Sequence, residues 1–176
     1  SMDTEGIVVY CSSLSKVLSS GMRIGFLTGN EVLMQKIVVA KQGEDVHTTM
    51  LPQMICADYM AKYDMDKHID GIRALYRRKC GIMLDALDKY MPDCVKYTRP
   101  EGGLFLWCTL PAEIDLDTFV KEALKRKVAV VPGTAFNCDL SAYSDSFRMT
   151  YATPTEEQIV EGIKILGELV KEFINK

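Results

Sequence analysis

The chain has 176 residues, 48% of them hydrophobic and 26% charged, with a formal charge of −3. That is enough to bury the core of one domain or two small ones, and the composition is globular rather than disordered. The slightly acidic balance argues against a nucleic-acid-binding surface, and no apolar run is long enough to span a membrane.

The opening Ser1-Met2-Asp3 has neither a basic region nor an apolar stretch, so no secretory leader is expected, and Ser1-Met2 reads as a remnant of an expression vector. Residues 7–11 form a continuous apolar run, which predicts a strand buried on both faces. Residues 23–28 predict a second short strand. Asn30 is placed to cap a helix carrying Met34, Ile37, Val38 and Lys41 on one face. The segment QGEDVHTT is expected to break that helix. Pro52 then suits the first turn of another, bearing Ile55, Cys56, Tyr59, Met60 and Tyr63. Residues 66–91 repeat apolar side chains every three or four positions, from Ile69 to Met91, and predict one helix long enough to join two domains. The basic run RRK at 77–79 is expected mainly on its solvated side.

Beyond it the pattern becomes α/β. Residues 95–97 read as a short strand, PEGG as a turn, and LFLWCTL as a strand ended by Pro111. Asp115 is expected to cap a helix with Leu116, Phe119, Val120, Ala123 and Leu124 inward. VAVVPG and SFRMTYA predict two more strands. Thr153-Pro154-Thr155-Glu156 has the spacing of a capping box with proline at the first helical position, opening a last helix through Ile159, Ile163, Leu166, Val170 and Phe173. The expected organisation is a sheet fragment with two helices over 1–65, then a connecting helix with a small α/β domain over 66–176. Two strands cannot close a sheet around a doubly buried run, so the chain reads as part of a larger protein. Residues 7–28 are then expected to expose apolar faces and strand edges, with either a second copy covering them or the small domain carrying most of the order.

Cys11, Cys56, Cys80, Cys94, Cys108 and Cys138 are scattered without a C-x-x-C or paired histidines. This predicts reduced core thiols in a cytoplasmic protein and no metal site. His47 and His68 read as surface or helix-end residues.

The chemistry gathers in the stretch CSSLSKVLSSGMRIG. Ser13 and Ser15 offer hydroxyls, Arg23 a permanent positive charge, and Gly21 a tight turn that returns the second strand beside the lysine loop. Such a set suits a phosphate dianion, and Lys16 beside a bound phosphate ester suits an aldehyde on the same molecule, which is pyridoxal phosphate chemistry. Spacing alone favours the plainer alternative of a solvated lysine in a serine-rich turn.

The motifs go further. SSLSKVLSSGMRIGFLTG resembles the cofactor-lysine signature of fold-type I, class I/II aminotransferases, S-(F/L)-S-K-x-L-x-P-G-x-R-x-G, with Ser20 in place of the usual proline. PEGGLFLWCTLP, VAVVPGTAFN and SFRMTYATPTEEQIVEGIKIL resemble three further motifs of that family in order. The branch resembled holds 2-aminoadipate and kynurenine aminotransferases and the aminotransferase-like domains of MocR regulators. The resemblance implies an α/β fold, the C-terminal portion of a fold-type I transferase, with part of the large domain and a small C-terminal domain. It implies that Lys16 forms the Schiff base with the cofactor and moves the substrate proton, with burial and nearby charge lowering its pKa. Ser13, Ser15 and Arg23 match cofactor-phosphate ligands, and Arg148 the arginine that holds the substrate α-carboxylate. Without the family, Arg148 would read as a strand-edge surface ion pair.

Phe136 is expected near the pocket as a packing residue, and Trp107 as a core residue. The implied activity of the full-length protein is exchange of an amino group between an amino acid and a 2-oxo acid such as 2-oxoglutarate, in a homodimer. The effector-binding part of a MocR-type regulator, or a lyase or decarboxylase, remains as an alternative. In the family the N-terminal portion supplies the acid at the pyridine nitrogen and the stacking ring, so this chain alone is expected to be inactive.

Overall fold

The structure, a computed structural model, describes residues 3–139 and 141–175; the expected vector remnant at residues 1 and 2 lies outside them. The chain divides into two compact units, Ser1–Ile72 and Arg73–Lys176.

In the first unit, β1 (Tyr10–Ser13) and β2 (Gly25–Thr28) form an antiparallel pair, followed by α1 (Glu31–Asp45) and α2 (Met50–Lys62). The strand expected to be buried on both faces begins at Tyr10 and is exposed instead. Ile7 is 76% accessible and Val8, Tyr10, Phe26 and Leu27 are also open, because one partner strand and one helix cannot cover two faces. Strand β2 likewise starts two residues later than expected, since Arg23 adopts the left-handed conformation at φ 55° and cannot begin a ladder. Asn30 caps α1 as expected, its Oδ1 accepting from the Val32 N–H at 3.0 Å. The helix runs on through Gly43 to Asp45 rather than breaking at Gln42, and a Lys41–Asp45 ion pair at 2.5 Å closes the last turn. Pro52 sits in the first turn of α2, where its missing N–H has no helical partner to lose. Of the apolar residues expected inward on α2, only Cys56 is buried; Ile55, Met60 and Tyr63 are open.

Helix α3 (Met65–Tyr90) is the long helix the periodicity predicts, 26 residues and so about 39 Å. The second unit comprises its C-terminal part, β3 (Lys96–Tyr97), β4 (Phe105–Thr109), α4 (Leu116–Lys125), β5 (Val131–Pro132), β6 (Ser146–Thr150) and α5 (Glu156–Ile174). Its sheet is antiparallel throughout, in the order β3-β4-β6-β5. Alternation puts Leu106, Cys108, Phe147 and Met149 on the face covered by the helices, where they pack with Met83, Leu87, Phe119, Ile163, Leu166 and Val170. Gly167 permits a close approach to backbone: a Cβ there would stand 2.3 Å from the Tyr90 carbonyl oxygen.

Several local expectations shift. Leu124 points outward, 62% exposed, because Phe119 and Ala123 already fill the buried stripe of α4. Strand β5 keeps only two residues of VAVVPG: the Val128 N–H is taken by the Ala123 carbonyl at 3.0 Å, and Lys127 has φ 64°, so these residues finish α4 instead. Arg77 and Arg78 are exposed as expected, but Lys79 is buried, its Nζ donating to the Ala152 carbonyl at 2.8 Å. The α5 capping box uses Thr155 with Gln158, not Thr153 with Glu156. Both pairs have the right spacing; Pro154 stands before the cap, and Thr155 is the residue in the extended conformation a cap requires. All six cysteines are free, but only Cys56 and Cys108 are buried, while Cys11, Cys94 and Cys138 lie at the surface.

Candidate active site

The β1–β2 register sets Ser13 opposite Gly25, and the Leu14 N–H donates to the Ile24 carbonyl at 3.0 Å, so the lysine loop is tied at its base. Inside it, the N–H groups of Leu18 and Ser19 both donate to the Leu14 carbonyl, at 2.8 and 3.1 Å. This single helical turn holds Lys16 at its apex. The Ser13 hydroxyl accepts from the Ser15 N–H at 3.4 Å. A short three-ten turn, Ser20–Met22, leads to Arg23, whose Nη1 donates to the Ser20 carbonyl at 3.1 Å. A proline would offer the same carbonyl, so the departure at Ser20 leaves this contact intact.

Ser13, Ser15, Lys16 and Arg23 are therefore brought onto one loop. Arg23 pays about 1–3 kcal/mol for its left-handed backbone. Lys16 is exposed, so the burial expected for it is not provided by these residues. No ion pair engages Lys16 or Arg23 among the described residues. His68 is a contributor that sequence reasoning left at a helix end. It does lie in the first turn of α3, but its Nε2 meets the Val17 carbonyl at 2.9 Å, with Tyr59 edge-on to the ring at 5.8 Å. A contact across 51 positions has no local signal.

Arg148 lies in the second unit, on β6 between β4 and β5 and in register with Trp107 and Val131. It is thus in the interior of the sheet and not at a strand edge. Alternation places it on the face away from the helices, beside Phe105, Trp107 and Thr150. Its guanidinium carbon stands 4.0 Å from the centre of the Phe105 ring and 4.7 Å from that of Phe136. No carboxylate pairs with it among the described residues. Trp107, expected in the core, is half-buried on this same face and meets Phe136 edge-on at 5.5 Å.

The sequence profile of the family described as Aminotransferase class I and II matches residues 1–166. The chain belongs to the class I and II aminotransferases. It is 40% identical over 174 residues to aromatic-amino-acid aminotransferase 1 of Thermococcus litoralis, covering 99% of this chain and 42% of that protein. Among solved structures it superposes with a TM-score of 0.90, at 39% identity, on the alpha-aminoadipate aminotransferase of Thermus thermophilus complexed with N-(5'-phosphopyridoxyl)-L-leucine, over 96% of this chain and 43% of that one. A more distant relative, an HTH-type transcriptional regulator of Bacillus subtilis, is 26% identical over 175 residues, which is 99% of this chain and 36% of the regulator. The fold is that of the fold-type I aminotransferases, and the chain spans about two-fifths of the length of its relatives.

The donor set of the lysine loop fits the family's cofactor. A primary amine, two hydroxyls and a guanidinium, with no carboxylate paired to either cation among the described residues, match an aldehyde and a phosphate on one molecule.

Proposed function

We propose that the full-length protein exchanges an amino group between an amino acid and a 2-oxo acid with pyridoxal phosphate, this chain contributing the lysine loop and the carboxylate-binding arginine. When bound, the cofactor supplies a carbonyl for the amine and a ring that delocalises the electron pair left when the substrate Cα loses its proton. Lys16 Nζ, at the apex of its loop, holds that proton and returns it to the product side. The Ser13 and Ser15 hydroxyls and the Arg23 guanidinium hold the phosphate. Arg148 grips the α-carboxylate with two parallel N–H donors, which favours reactions that keep the carboxylate over decarboxylation.

The observation that carries this reading is a lysine loop and a sheet-interior arginine that both present cations without acidic partners among the described residues. The test is glutamate formation from 2-oxoglutarate with L-2-aminoadipate, L-kynurenine, L-phenylalanine or L-leucine. The full-length protein is expected to be active with at least one donor, and its Lys16→Ala variant inactive. Turnover that survives Lys16→Ala overturns the reading. The 176-residue chain, incubated with pyridoxal phosphate and reduced with borohydride, is expected to show little adduct at Lys16 and no turnover.

A regulator has one observation in its favour, the relative from Bacillus subtilis. Specific DNA binding by the full-length protein, without glutamate formation from any of the four donors, would establish it. A cytoplasmic homodimer belongs to the enzymatic reading, and size-exclusion chromatography with light scattering of the full-length protein tests the dimer.

A further inference from the structure

We propose that Phe105 and Phe136 are positioning residues that clamp the Arg148 guanidinium between two rings and so set the direction of its carboxylate-binding edge. This rests on the reading of Arg148 as the holder of the substrate α-carboxylate. A guanidinium on a four-bond stem normally takes its orientation from a carboxylate partner or from water. Arg148 has no carboxylate partner among the described residues, and two aromatic faces stand within 5 Å of its central carbon. Both distances lie inside the range of cation–π attraction, which draws the flat face of the cation onto the ring and leaves its N–H edge free.

The rings are themselves held. Phe105 opens β4 opposite Thr150, whose hydroxyl donates to the Leu104 carbonyl at 3.0 Å, and the Tyr151 hydroxyl donates to the Gly103 carbonyl at 2.8 Å. Phe136 closes the short turn Gly133–Phe136. Asn137 fixes that turn from below, its N–H donating to the Thr134 carbonyl at 3.3 Å and its Nδ2 to the Ala142 carbonyl at 2.9 Å. At the other end Gly133 is buried and closely packed, a Cβ there falling 2.2 Å from the Ser144 hydroxyl and 2.7 Å from the Ser146 carbonyl oxygen. Trp107 closes the edge of Phe136. Each ring also keeps an accessible surface, 38% for Phe105 and 46% for Phe136, so the clamp covers the cation without burying its site.

A clamp of this kind removes rotational freedom that the arginine would otherwise lose on binding, and it strips water from the guanidinium faces but not from its edge. Its loss therefore weakens carboxylate binding more than it slows chemistry. The experiment uses the full-length enzyme with 2-oxoglutarate and whichever of the four donors is turned over fastest. Phe105→Leu and Phe136→Leu are each expected to raise KM for both substrates about fivefold to tenfold with kcat within about twofold, and Phe136→Tyr, which keeps the ring, to restore the parent KM. Phe105→Met and Phe136→Met, which keep the volume without the ring, replace any leucine variant that does not fold. Arg148→Gln separates the two ideas. If it leaves KM unchanged, the carboxylate reading fails. If it raises KM while the folded ring-deleted variants do not, the clamp is overturned and the carboxylate reading stands. Equal losses in kcat across all ring variants, with KM constant, also overturn the clamp.

Discussion

At the scale of single residues, the second unit buries groups that resist ionisation. Burial pushes the Cys108 thiol up to about 12 from an ordinary value of 9.0. Tyr151 is pushed up to about 12 as well, by burial first and by its neighbour Cys80 second. Both groups stay protonated in the folded chain while the unfolded chain releases its protons, so their stabilisation is complete below pH 9 and is lost as the pH rises toward 12. Unfolding of the second unit followed by urea is expected to grow easier across that window, by up to about 1.4 kcal/mol per pH unit for each group. Cys108→Ala is expected to be less stable near neutrality, through its cavity, yet to show a shallower alkaline slope. An unchanged slope would contradict the assignment. The Asp88 carboxylate behaves oppositely: hydrogen bonds from Arg99 and then from Tyr97 hold it below the usual carboxylate range, at the surface.

At the scale of elements, most ends are specified by side chains close by in sequence. Asp115 caps α4 through the Thr118 N–H at 2.9 Å, and Thr155 caps α5 through the Gln158 N–H at 3.2 Å, with the Gln158 side chain accepting from the Thr155 N–H at 2.8 Å. Helix α5 buries Ile159, Ile163, Leu166, Leu169 and Val170 along one stripe, so fraying at its start loosens the core beneath β6. Thr155→Ala is therefore expected to cost about 1 kcal/mol in urea unfolding, and Thr153→Ala, two residues earlier and exposed, less than about 0.5. The reverse order would restore the frame expected from the first of the two capping spacings.

At the scale of the whole molecule, order is distributed unevenly. Every member of the hydrophobic core cluster lies between Met83 and Val170, and Cys56 is the one buried hydrophobic side chain of the first unit among the described residues. The first unit instead exposes Ile7, Tyr10, Val32, Val39, Leu51 and Met54, surface that about 25 cal/mol per Å² would reward for covering. Amide hydrogen exchange of this chain is expected to show strong protection in β4, β6 and α5 and rapid exchange in β1, β2 and α1. Uniform strong protection in a monomer would contradict the uneven core. The chain spans 42% of the length of that relative from Thermococcus litoralis.

The sequence alone determined the family, the order of elements and the residue types of the lysine loop, because ordered motifs, helical periodicity and caps are all read within a few positions of the chain. It also placed Arg148 on a strand, Asn30 and Asp115 at helix starts, and Gly21 in the return turn. What needed the tertiary structure was everything set by contact between distant segments. Burial of the run at 7–11 depends on neighbouring strands, and in their absence the run is exposed. Lys79 is buried where a carbonyl 73 residues away accepts a hydrogen bond from its Nζ, and His68 reaches Val17 across 51. That Arg148 lies in the sheet interior against the rings of Phe105 and Phe136, and not at a strand edge, also needed the strand order, because side chains on different strands meet only once the sheet has chosen its register.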